Sequence, residues 1–248
     1  MNKFLLGLLC LAAITFPVFA RGNSDSEKVY VFASDATWPP MEYIDDDGEI
    51  VGFDMDLLAA VAEAAGFEYK VQNSGWDGIF AGLANGLYDA IISSVTITEE
   101  RKQHMDFTIP YVNAGQILIV RNDYVGGSTL EDFEGKKVGV QQGTTGDFAV
   151  EVVAAIRRAY DDVGLAIEDL ANGNLDAVVC DSVTAVDFAV ANENYSQKLK
   201  IIGEPFTDEK YAIAVSKGNV ELLELLNTGL TKVIANGTQA ELVDKWLR

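Results

Sequence analysis

The chain has 248 residues, 49% of them hydrophobic, with 38 acidic against 18 basic residues and a formal net charge of −20. An excess of this sign repels phosphate backbones, which argues against nucleic acid and anionic membrane surfaces as partners. The single histidine, His104, leaves no His-based metal site and no Ser-His-Asp triad to assemble.

In chain order, residues 1–20 read as an export signal: Lys3, an apolar run from Phe4 to Phe16, then the small-residue site Val18-Phe19-Ala20. The run is shorter than the ~20 apolar residues of a membrane span. Cys10 invites a lipid-anchor reading, but Gly7-Leu8-Leu9 lacks the small residue expected at its last position, so a soluble secreted protein is expected instead. Loss of the signal leaves Cys180 alone, and no disulfide can form within the chain. Residues 21–27 are polar and read as a flexible leader.

Beyond the leader, β-branched runs predict strands at 29–33, 69–71, 90–93, 117–120, 138–140, 177–179, 201–202 and 211–215. Apolar residues at helical spacing predict helices at 55–65 (closed by Gly66), 76–84, 147–157, 163–171, 183–192, 220–235 and 239–247. Strands alternating with helices imply an α/β protein with mostly parallel sheets covered on both faces. Asp45-Asp46-Asp47-Gly48 lacks the spacing of an EF-hand, and Asp-Gly between two strand-like runs reads as a hairpin turn.

One stretch recurs. Residues 83–94 (LANGLYDAIISS) and 170–181 (LANGNLDAVVCD) share six of twelve positions, including the helix-ending Asn-Gly and the strand-opening Asp-Ala. Recurrence in the middle of each half implies two similarly built lobes. Each copy delivers polar residues, Ser94 and Asp181, to the carboxyl end of a buried strand, where ligands sit in open α/β sheets. Two facing lobes would then share one cleft.

The glycine-rich stretch 139–146 (GVQQGTTG) lacks the Lys-Ser/Thr end of a Walker loop and the spacing of a dinucleotide fingerprint. It accommodates either an ordinary strand–helix turn or a carboxylate held at a helix start. No cofactor is expected. Thr98-Glu99-Glu100-Arg101 reads as a helix start, placing Arg101 near the strand end that offers Ser94 and Thr96. There it could clamp a carboxylate, or pair on the surface with Glu100 or Asp106.

The ordered segments 34–42 (SDATWPPME), 51–57 (VGFDMDL), 76–79 (WDGI), 88–92 (YDAII), 96–101 (TITEER) and 106–111 (DFTIPY) carry a resemblance, joined by 135–146, 176–181 and Gly237-Thr238 before Trp246. From Lys28 to its end the chain resembles the extracytoplasmic solute-binding proteins of polar amino-acid ABC importers, family 3. The resemblance implies a two-lobed periplasmic-binding-protein fold, each lobe a mostly parallel sheet flanked by helices, joined by two strands near 111–114 and 209–211. Lobe 1 would comprise 28–112 and 211–248, and lobe 2 would comprise 113–210. The segment between Gly146 and Tyr160 looks shorter than is usual in the family.

The resemblance also implies roles. Arg101, with Thr96 and the Thr145 region, would hold a ligand α-carboxylate. Asp181, with Ser94, would take the α-ammonium. Trp38 and Trp76 would cover the side chain, while Asp35 and Ser93 would probe its polar end. Asp35 disfavours acidic ligands, and a cationic side chain suits two tryptophans and an aspartate. Arginine, lysine or histidine is therefore expected, with glutamine open. The implied protein is a periplasmic monomer that binds a free L-amino acid, delivers it to the membrane permease of an ABC importer and catalyses nothing. The alternatives are a dehydratase of cyclic carboxylic acids on the same fold, or a sensing partner of a membrane receptor.

Overall fold

The computed structural model describes residues 28–248; the signal and leader expected at 1–27 lie outside the described residues. The chain opens with β1 (Val29–Ser34), then a small antiparallel sheet of β2 (Thr37–Trp38), β3 (Glu42–Ile44) and β4 (Ile50–Val51). Its turn is the expected hairpin, with Asp45 Oδ1 accepting from the amides of Asp47 and Glu49. Next come α1 (Phe53–Ala65), β5 (Glu68–Asn73), α2 (Trp76–Ala84), β6 (Ala90–Ile91), α3 (Arg101–His104) and β7 (Met105–Phe107). The chain crosses out on β8 (Val112–Ala114).

The second half runs β9 (Gln116–Arg121), β10 (Lys137–Gln141), α4 (Thr145–Glu151), β11 (Ile156–Tyr160), α5 (Val163–Ala171), β12 (Ala177–Asp181), α6 (Ser182–Val186) and β13 (Leu199–Ile202). It crosses back on β14 (Glu209–Tyr211), which pairs antiparallel with β8. β15 (Ala214–Ser216), α7 (Val220–Ala235) and α8 (Thr238–Trp246) then rejoin the first lobe.

The two five-stranded sheets have orders β5-β1-β6-β15-β7 and β11-β10-β12-β9-β13. In each, a parallel trio at one edge is extended on its other side by two strands paired antiparallel. The recurring stretch explains the likeness. Asp89 Oδ2 accepts from the Val31 amide of β1, and Asp176 Oδ2 accepts from the Lys137 amide of β10, both at 2.8 Å. In both copies the glycine after the helix, Gly86 or Gly173, adopts a left-handed φ (70° and 82°) that turns the chain into the strand. Each sheet packs against its own helices: Leu57, Leu58 and Val61 of α1 with Leu226 and Leu230 of α7 in one lobe, and Val163, Ile167 and Leu170 of α5 in the other.

Three expected elements differ. The helix expected over 147–157 ends at Glu151, and residues from Ile156 form edge strand β11 along β10. Asp147 is buried and its carboxylate takes the Arg157 guanidinium at two points, drawing 157 back alongside the helix start. The apolar pattern of 148–156 has helical spacing, yet Val152 is exposed, and sheet pairing overrides it. The strand expected over 211–215 is two, because Ala212 and Ile213 lie between the crossing strand and the lobe 1 sheet. The helix expected over 183–192 begins at Ser182 and finishes in a wide π-turn, Asp187–Ala191.

Candidate functional site

The cleft between the sheets is walled by the carboxyl ends of β1, β6 and β12, by the β10–α4 loop, and by the two crossing strands at its floor. Within it lies a small, tightly closed cavity lined by Trp38, Trp76, Ser93, Ser94, Thr96, Arg101, Thr144, Thr145 and Asp181. Eight of the nine residues singled out in the sequence converge there. The ninth, Asp35, lies just behind the lining, with its carboxylate accepting from Gln141 Nε2 of the opposite lobe at 2.7 Å and from Thr37 Oγ1 at 3.0 Å. A roomier groove lies on the outer side of Arg101, between Phe80, Met105 and Phe148. It is mostly apolar, and its one acid, Glu100, is the chain neighbour of Arg101 rather than a charge facing it from the other lobe, so the inner cavity is the better site for a polar ligand.

Arg101 is buried, which removes the alternative of a surface arginine; Asp106 pairs with Lys217 instead. The Thr98 hydroxyl accepts from the Arg101 amide at 3.1 Å and starts the short α3. The guanidinium lies between the Trp76 and Phe80 rings, 5.3 and 4.9 Å from their centroids. One Nη donates to the Thr96 carbonyl at 2.9 Å, and the other lies 3.5 Å from the Gly143 carbonyl. Burial lowers its pKa to about 10, opposed by the negative charges of Asp181 and Glu209, and the group remains a cation at neutral pH.

Asp181, at the end of β12, faces the same cavity from the other lobe. Tyr211 donates its hydroxyl to Asp181 Oδ1 at 2.7 Å. Burial, reinforced by Glu209, pushes the Asp181 carboxyl up to about 7. Burial likewise pushes Asp35 up to about 6, with Gln141 and Thr37 pulling the other way. Each acid is therefore costly to ionise unless a cation arrives.

Several bonds join the lobes. Trp76 Nε1 donates to the Gly143 carbonyl at 3.1 Å, and Trp38 of lobe 1 packs into the lobe 2 core beside Val163 and Ile167. Sequence reasoning missed Glu209. Its Oε2 accepts from Thr96 at 2.7 Å and from Thr145 at 2.8 Å, one hydroxyl from each lobe. Thr96 and Thr145, expected to help hold a carboxylate, thus have their hydroxyl protons directed at Glu209. It also missed Glu42 and Asp54, fully buried acids behind Ser93 and Ser94. Ser94 has a φ of 49°, the one positive value outside glycine among the described residues. Asp54 Oδ2 holds its amide at 2.9 Å and Glu42 Oε2 its hydroxyl at 3.2 Å, which fixes the strained residue in place. Gly52 makes that pairing of acids possible. A Cβ there would strike the Met41 carbonyl, so glycine alone lets 41–42 and 53–54 lie side by side.

Among the described residues no helix is long and apolar enough to cross a membrane, and Cys180 is a free, buried thiol. The profile of the bacterial extracellular solute-binding proteins, family 3, matches residues 30–248. A probable histidine-binding protein of Neisseria gonorrhoeae is 34% identical over 259 residues, covering 99% of this chain and 96% of that protein. The solved structure of an ancestral arginine-binding protein bound to arginine superposes with a TM-score of 0.84 at 38% identity, over 89% of this chain and 98% of that one. An ancestral amino acid-binding protein described as a precursor of cyclohexadienyl dehydratase gives 0.81 at 33% identity, over 89% and 96%.

Proposed function

The chain belongs to the bacterial extracellular solute-binding proteins of family 3, and from that premise we propose that it captures a free basic amino acid between its lobes and passes it to the permease of an ABC importer. The observation that carries the reading is the opposition of Arg101 and Asp181 across one small cavity. A zwitterion needs one cation and one anion held several ångströms apart, each drawn from a different lobe, so the ligand ties the lobes together. The outward edge of the Arg101 guanidinium takes the α-carboxylate. Asp181 Oδ2, the oxygen that Tyr211 does not hold, takes the α-ammonium. Trp38 and Trp76 flank the side chain, and Asp35 with Ser93 receives its far end. The resemblance to a probable histidine-binding protein and to an arginine-bound ancestral protein supports a cationic side chain.

The protein works outside the cytoplasm after removal of residues 1–20, and it acts as a monomer. Thermal melts of the refolded mature protein against each of the twenty amino acids test the reading. A ligand present at ~100 times its dissociation constant adds about 2.7 kcal/mol. A shift confined to arginine, lysine or histidine is expected, and no shift with any of the twenty would remove the assignment.

A dehydratase reading draws on the ancestral dehydratase precursor and on Asp181, whose carboxyl, near neutrality, has the pKa of a general acid. Turnover of a cyclic, prephenate-type carboxylic acid by the purified protein would favour it.

A further inference from the structure

We propose that Glu42 and Glu209 set the specificity of the cleft from behind its wall, by turning the hydroxyl protons of Ser93, Ser94, Thr96 and Thr145 away from the ligand. The inference rests on the amino-acid reading above and narrows its substrate class.

A hydroxyl has one proton and two lone pairs; once the proton is given to a carboxylate, only acceptor capacity is left. Glu209 takes the protons of Thr96 and Thr145 on Oε2, while its Oε1 accepts from Thr207 at 2.8 Å. Thr145 also accepts from Gln116 Nε2 at 3.1 Å, so one lone pair stays free. Glu42 does the same for the serines: Ser93 donates to Oε1 at 3.0 Å and Ser94 to Oε2 at 3.2 Å. Ser93 further accepts the Asp35 amide at 2.9 Å, which fixes its rotamer.

Glu42 is the protonated member of this acid pair, and its proton is directed at Asp54, which leaves lone pairs on both Glu42 oxygens to accept from the serines. Asp54 Oδ2 already accepts from Ser94 N–H and Tyr111 O–H. Its Oδ1 is buried with no amide or hydroxyl donor. A single proton held between Asp54 and Glu42 satisfies that oxygen, and burial favours it by raising both acids, Asp54 to about 6 and Glu42 well above the carboxylate range.

Four acceptor hydroxyls then join Asp181 and Asp35. The side-chain donors left at the cleft are few: Arg101 and the buried, unpartnered indole N–H of Trp38. A ligand matched to that wall carries one carboxylate and otherwise presents N–H groups, as an α-amino acid with a guanidinium or ammonium side chain does. A side-chain carbonyl would face lone pairs, and a polar group left unpaired in a buried site is strongly discriminated against.

Calorimetric titration with L-arginine and with L-citrulline, which replaces the guanidinium by a urea of similar shape, tests the proposal. Glu209→Gln offers the threonines an amide donor and frees their protons. It is expected to weaken arginine by roughly tenfold in the wild-type background and to have no further effect once Thr96→Val and Thr145→Val have removed the hydroxyls. Additive losses would mean that Glu209 acts through its charge alone, overturning its orienting role. Glu42→Gln is expected to narrow the arginine-to-citrulline affinity ratio by about tenfold; an unchanged ratio overturns the role given to Glu42. Glu131→Gln, on the surface, serves as control. If Glu209→Gln does not fold, Thr96→Val against Thr96→Ser decides. Serine must restore the affinity that valine loses, and its failure to do so counts against the proposal. A wild-type protein that binds none of the twenty amino acids would remove the amino-acid reading itself, whereas wild-type binding with additive losses removes only this inference.

Discussion

On the proposed reading, Asp181 is where ligand binding and folding stability pull in opposite directions, and Asp181→Asn exposes the conflict. The carboxyl has moved from 3.8 to about 7 on folding. A raised pKa means that the folded state prefers the protonated acid. Its contribution to stability is full below pH 3.8 and is lost as the pH rises through 7. At pH 8 the buried acid therefore costs about 4 kcal/mol relative to low pH, falling to about 2 kcal/mol at pH 5, where the folded state must take up a proton that the unfolded chain has lost. Asparagine keeps an acceptor for the Tyr211 hydroxyl and removes the charge. The variant, stripped of ligand, should melt about 10 °C higher than wild type at pH 8, with the gain roughly halved at pH 5. In the same preparation arginine should produce no thermal shift and no heat of binding. Differential scanning calorimetry at the two pH values, with titration calorimetry alongside, gives all of these readings. A variant no more stable than wild type at pH 8, or a gain independent of pH, would show that Asp181 is not held against its charge, and the argument from burial would fail.

The remaining predictions concern affinity. Arginine binding should weaken by about 100-fold between pH 8 and pH 5.5, as Asp181 near 7 and then Asp35 near 6 take up protons that a cationic ligand must displace; a flat profile by titration calorimetry would contradict the electrostatic reading. Arg101→Lys should lower affinity by about 100-fold despite keeping the charge, because a point ammonium cannot span the ligand carboxylate, the Thr96 carbonyl and the two rings. Asp35→Asn should weaken arginine about tenfold more than it weakens glutamine, measured as the ratio of dissociation constants; equal losses would place the side chain elsewhere.

Most of the architecture was legible because local chemistry and tertiary packing agree. The Asn-Gly-x-x-Asp-Ala stretch ends a helix, turns, and ties its aspartate to the neighbouring strand twice over, so its repetition in the sequence marks the repetition in the fold. The cavity lining was legible for a related reason: Ser94 and Thr96 lie just beyond the end of β6, Asp181 ends β12, and Arg101 opens the short helix that follows β6. What escaped notice depends on contacts between distant segments. Glu209 meets Thr96 across 113 positions and Thr145 across 64. Glu42 and Asp54 stand twelve positions apart, and nothing local marks them as a pair until Gly52 lets one segment fold against the other. The helix expected to run to 157 failed because Arg157 answers a buried aspartate, a long-range demand that apolar spacing does not record.

The order of strands also fixes a schedule for folding. Every strand of the second sheet comes from one unbroken stretch, Gln116 to Ile202, whereas the first sheet has β15 wedged between β6 and β7 and is covered by α7 from near the end of the chain. Emerging from the ribosome in sequence order, the inserted lobe can complete its sheet while the outer one still has a gap. That gap closes only when residues 214–216 arrive, bridging parts of the chain more than a hundred positions apart, and pairings of such separation form slowly. A nascent chain of this topology therefore keeps its first sheet incomplete until synthesis is nearly finished.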